Sequence, residues 1–177
     1  AHPYDEETEI AEGVHLTLRP AGHILGSAIA TLRLAGPPER HIVFSGDLGR
    51  PQHPILCPPA PVGDADVVVV ESTYGDRRHD DATGSERLAD VICRTARRGG
   101  TVLIPAFAVD RTEVVLFNLQ RLLEAGRIPE LPVYVDSPMA LAALGVYRGA
   151  IAAGDREIRP GLGRVGDVPQ HQPTAEA

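Results

Sequence analysis

Three apolar runs in this chain give way, directly or after a short loop, to a residue able to bind a metal or move a proton. The clearest is His41–Arg50, where Ile42-Val43-Phe44 is long enough for a short buried strand and stops at Ser45-Gly46. Asp47 follows at once, then Leu48-Gly49-Arg50. Gly46 and Gly49 let the backbone turn tightly and approach a neighbour closely. A carboxylate at the end of a buried strand is costly unless it has a partner. In α/β proteins the C-terminal ends of strands are where chemistry collects. His23, in the loop after Val14–Leu18, and Glu71, directly after Val67–Val70, repeat the arrangement. Side chains placed this way converge on one rim of a sheet.

The first half of the chain reads as a meander. Residues 14–18 alternate as a half-buried strand, 28–34 form a second, and Gly36-Pro37-Pro38 turns the chain into the third at 41–44. Five prolines between 51 and 63 leave an extended loop with no room for a helix. Four consecutive valines, Val67–Val70, suit a strand buried on both faces.

From Glu71 onward the pattern changes to strand–helix alternation. Thr83 with Glu86 reads as a capping box opening a helix with Leu88, Val91, Ile92 and Thr95 on its apolar face, ended by Gly99-Gly100. Residues 101–104 form a strand closed by Pro105, and Asp110 with Glu113 caps a helix to about Leu123. Residues 132–135 form another strand, after which Ser137 as N-cap and Pro138 open a third helix that fades near Gly154. Residues 161–177, rich in Gly, Pro and Gln, read as a disordered tail.

The net charge of −7 excludes a uniformly basic nucleic-acid glove but leaves room for a local groove. All 17 basic residues are arginine, the better fork for phosphate oxygens. Cys57 and Cys93 stand far apart and give no disulfide framework. No apolar run approaches the length of a membrane span, and the N-terminus has no signal-peptide pattern, so the expected location is cytoplasmic and off the membrane.

A His and an Asp brought together suit zinc, and a Glu beside them suits the orienting of a metal-bound histidine. The segments GVHLTLRPAGHILGSAIATL, IVFSGDLGRP, VVVVESTYGDRRH, GGTVLIPAFAVDRTEVVL and LPVYVDSPMA occur in that order. Together they resemble the β-CASP group of metallo-β-lactamase-fold RNA nucleases, in particular relatives of the endonuclease subunit of the cleavage and polyadenylation specificity factor. The resemblance spans about residues 10–155. It implies an α/β fold: part of a metallo-β-lactamase αββα sandwich over residues 1–76, then the first strand–helix units of a β-CASP domain over 77–160.

By the family pattern His23 is a zinc ligand, Asp47 the carboxylate bridging two zinc ions, and Glu71 an acid that orients a histidine further along the chain. The activity implied is metal-assisted hydrolysis of single-stranded RNA, with two zinc ions lowering the pKa of a shared water. The mouth of the RNA clamp needs positive charge, for which Arg77, Arg78 and Arg111 are candidates. Ser137, at a helix N-terminus, is a candidate phosphate contact as well as an N-cap. His79, after the GDR turn, reads as a solvated loop residue, with a place near the cleft as the alternative. His15 and His41 fall in strands and His53 in the proline loop.

The pattern is incomplete. The family's HxHxDH signature is absent, since no two histidines stand two apart, and so are the later β-CASP histidines. One His and one bridging Asp cannot fill two zinc shells. The expectation is a fragment that neither holds two zinc ions nor cleaves RNA alone, with an unpartnered sheet edge inviting self-association. The alternatives are a catalytically inactive scaffold pairing with an active paralogue, and a metallo-hydrolase of another ester.

Overall fold

The computed structural model describes residues 2–77, 83–163, 165 and 170–171, the last two by backbone alone. The fold is mixed α/β, and the chain divides into two compact units. One comprises Ala1–Gly75 with Arg156–Pro160, the other Asp76–Asp155 with Gly161–Ala177.

The first unit is a five-stranded sheet in sequence order: β1 (Thr8–Ala11), β2 (Val14–Pro20), β3 (Ala28–Leu34), β4 (Arg40–Phe44) and β5 (Val67–Val69). The meander is antiparallel through β4, with β2 and β3 in register from Val14↔Leu34 to Pro20↔Ala28. β5 then joins β4 in parallel at Ile42↔Val67, so the proline-rich stretch between them serves as the crossover that parallel pairing requires. Ala21, Ile29 and Val43 form a buried cluster against which Leu48 and Ala65 pack. His53 is buried in the crossover, where its Nδ1 accepts the N–H groups of Ile55 (3.2 Å) and Leu56 (2.9 Å).

The valine run departs from expectation. β5 is the outer strand of the sheet, and Val67–Val70 are 48–62% exposed rather than buried on both faces. An unbroken apolar run signals that both faces want cover but does not supply it. The described residues of this unit put little on either face.

The second unit contributes α1 (Gly84–Arg97), α2 (Arg111–Glu124), β6 (Val133–Tyr134), α3 (Pro138–Ala153) and β7 (Gln170–His171). α1 lacks the expected capping box: Thr83 has helical backbone angles and makes no side-chain cap bond, while Glu86 pairs with Arg127 at 3.2 Å. A capping side chain reaches the free N–H groups only from an extended backbone. Residues 101–104 do not form a strand, and Leu103 and Phe107 are more than four-fifths exposed. Among the described residues no neighbouring strand offers them a ladder. At the tail, Gln170–His171 pairs in parallel with β6, while 166–169 and 172–177 lie outside the described residues. α3 matches the sequence reading: Ser137 Oγ accepts the Ala140 N–H at 3.2 Å, Pro138 opens the helix, and Gly154 ends it at φ 65°.

α2 forms where expected, but its acids are used differently. Asp110 has φ 66° and no cap bond; its carboxylate accepts the Tyr147 hydroxyl at 3.0 Å. Glu113 is fully buried, and neither carboxylate oxygen has a hydrogen bond of acceptable geometry among the described residues. Burial pushes its pKa up and the Asp110 carboxylate adds to the rise, while nearby N–H groups of Glu113 and Asp110 offset part of it.

A raised folded-state pKa means that stability is highest below the ordinary value of 4.5 and falls as pH rises through the folded-state value. Glu113→Gln removes the charge. It is expected to stabilise the unit at pH 7 by about 1 kcal/mol or more, with the advantage shrinking as pH is lowered toward 4.5, measured by urea unfolding followed by circular dichroism.

Candidate functional site

Two loops at one end of the sheet touch backbone to backbone. One, Ala21–Ser27 between β2 and β3, carries His23; the other, Ser45–Arg50 after β4, carries Asp47. The Gly49 N–H donates to Ala21 O at 2.8 Å, and a Cβ at Gly49 would fall 1.7 Å from Gly22 O. Only glycine permits that approach. The His23 loop is closed from within by Ser27, whose Oγ accepts the N–H groups of His23 (3.0 Å) and Ile24 (3.2 Å).

Glu71, at the tip of β5, joins the second loop. Its Oε1 accepts the Leu48 N–H at 3.0 Å, its Oε2 accepts the Thr73 N–H at 2.9 Å, and its own N–H donates to Ser45 Oγ at 3.0 Å. Ser45 is buried and its N–H donates to Val69 O at 2.9 Å, so the tips of β4 and β5 are laced together. The Leu48 N–H, then the Thr73 N–H and hydroxyl, hold the Glu71 carboxyl below its ordinary pKa, with a smaller contribution from the nearby His23. The structure thus gathers His23, the Asp47 loop and Glu71 at one rim, with Glu71 engaged by backbone N–H groups.

His23 and Asp47 are both exposed, and neither side chain makes a hydrogen bond among the described residues. An imidazole nitrogen and a carboxylate oxygen left open in this way are donors of the type zinc takes. They are two where a catalytic ion needs about three plus water. Among the described residues no three His, Cys, Asp or Glu side chains come together as a metal-holding group. These residues fit as part of a shell and not as a whole one.

The expected RNA contacts belong to the second unit. Arg77 is exposed and lies 3.7 Å from Asp76, whereas Arg78 and His79 lie outside the described residues. Arg111 is exposed at the first position of α2. The Ser137 hydroxyl caps α3 and lines an apolar cavity of about 790 Å³ between α1, α2 and residues 101–106.

No protein-family model matches the chain. It is 37% identical over 145 residues to ribonuclease TTHA0252 of Thermus thermophilus, covering 81% of this chain and 32% of that protein. Transcription termination factor FttA of Methanothermobacter thermautotrophicus is 40% identical over 139 residues, 75% of this chain and 21% of that protein. Endoribonuclease YSH1 of Mycosarcoma maydis is 32% identical over 167 residues, 91% of this chain and 18% of that protein. The chain belongs to the metallo-β-lactamase-fold β-CASP RNA nuclease family. It spans about a third or less of the length of these relatives.

Within this β-CASP family member, the sequence alone did not single out Ser27, Ser45 or Glu157 at the rim. Ser27 stands four residues after His23 and Ser45 two before Asp47, so short-range serines in the same turns were the available signal. Glu157 has no local signal, because its partner is 131 residues away.

Gly49→Ala drives a methyl group into the Gly22 carbonyl. It is expected to cost at least about 3 kcal/mol in urea unfolding. Gly63→Ala, which meets nothing within 4 Å, is the control and is expected to change stability by less than about 0.5 kcal/mol.

Proposed function

We propose that the chain is the rim-bearing portion of a zinc-dependent hydrolase of RNA phosphodiesters. The observation that carries this reading is the meeting of the His23 and Asp47 loops at one rim, with both side chains open to solvent. Relatives named as ribonucleases support RNA as the substrate class. In this reading His23 and Asp47 hold metal together with residues beyond this segment. When bound, zinc would supply an activated water and a positive charge facing the scissile phosphate.

The chain's own residues do the positioning. Glu71 fixes the Leu48 N–H and so sets the backbone from which Asp47 projects. Arg77 and Arg111 offer guanidinium forks to backbone phosphates. Ser137, its hydroxyl committed to Ala140, would contribute through the N-terminus of α3 rather than as a free donor. No helix among the described residues is long and apolar enough to cross a membrane.

With two donors in place, the isolated chain is proposed to be inactive. Incubated with Zn²⁺ and labelled single-stranded RNA, it is expected to leave the RNA intact and to retain less than one equivalent of zinc after desalting. Tight stoichiometric zinc with turnover would contradict that part. In a longer protein that contains this segment and cleaves RNA, Asp47→Ala is expected to lower cleavage at least about 100-fold while RNA binding persists. Full activity of that variant would overturn the metal reading.

A further inference from the structure

Five residues that follow α3 pack with the first unit. Arg156 donates to Asp5 at 2.7 Å and lies over the Tyr4 ring. The Cys57 N–H donates to Glu157 O at 2.7 Å, Ile158 bridges Leu56, and the Arg159 N–H donates to Ile55 O at 2.9 Å. The Arg159 guanidinium donates to the carbonyls of His53 and Pro51. This short segment is therefore seated on the crossover by backbone and side-chain bonds alike.

At its centre Glu157 is 6% exposed. Its two carboxylate oxygens share the Gly26 N–H, each at 3.2 Å. Gly26 belongs to the His23 loop, and its φ of +87° is one that only glycine holds without strain. Ser27 closes that loop from within; Glu157 grips it from outside. Burying a carboxylate is costly, and an aliphatic side chain would fill the same space without that cost. What the carboxylate adds is a charge-assisted bond to the loop backbone.

We propose that Glu157 is a positioning residue that fixes the Ala21–Ser27 loop and thereby the place at which His23 is presented. The use of that position rests on the zinc reading of His23. The fixing of the loop does not.

Hydrogen exchange on the metal-free chain separates the two. Glu157→Ala is expected to speed exchange of the Gly26 amide about tenfold or more, with exchange in the β2–β3 ladder unchanged. Glu157→Gln, whose amide oxygen still accepts, is expected to keep most of the protection. Glu157→Asp, one methylene short, is expected to behave like the alanine variant and decides the matter should the alanine variant fail to fold. Unchanged Gly26 exchange in both the Ala and Asp variants, or loss spread evenly over the sheet, would overturn the proposal. A Zn²⁺ titration followed at the His23 ring resonances, in a longer protein that contains this segment, is a separate arm. No response of His23 in any variant would sink the zinc reading and leave the positioning result standing.

Discussion

One carboxylate joins the ends of β4 and β5. Glu71 takes the Leu48 N–H on one oxygen and the Thr73 N–H on the other, and its own N–H is held by Ser45. β4 and β5 pair over only three residues, and β5 lies at the sheet's edge with its valines open. So short a parallel pair is weak by itself. The polar lacing at its tip is what keeps the turn bearing Asp47 in one conformation. Because the carboxyl is held below its ordinary pKa of 4.5, this contribution is present above that pH and is lost as pH falls through the lower, folded-state value.

The rim divides its labour between groups that face solvent and groups that do not. His23 and Asp47 are exposed and unbonded at their side chains. Around them Ser45 and Glu157 are buried, and Gly22 and Gly49 bring two backbones into contact. In the proposed zinc reading, metal ligands must be free to bind yet held within a fraction of an ångström. Here the freedom lies in the side chains and the restraint in hydrogen bonds to the loop backbones.

What could be read from the sequence follows how local each signal is. β2 was legible from its alternating pattern, and α3 from Ser137-Pro138 and Gly154, because those cues act within one element. The caps of α1 and α2 misled: Thr83 and Asp110 have backbone angles from which no cap bond forms, and Asp110 turns instead to Tyr147. Val67–Val70 and residues 101–104 carry strand composition, but what covers or pairs with a strand is a property of its neighbours. At the rim His23, Asp47 and Glu71 were visible as positions just past an apolar strand or in its loop, whereas Glu157 was not, since nothing in its own stretch of sequence points to Gly26. The positions of Arg78 and His79 lie outside the described residues.

The most direct test of Glu71 as the joint is an acid titration followed by amide NMR. Leu48 and Thr73 N–H resonances should move together with the Glu71 carboxyl, at a midpoint below 4.5, and exchange in the Asp47 loop should rise only once that carboxyl is protonated. A Leu48 amide that does not follow Glu71, or a Glu71 midpoint at or above 4.5, would contradict the account.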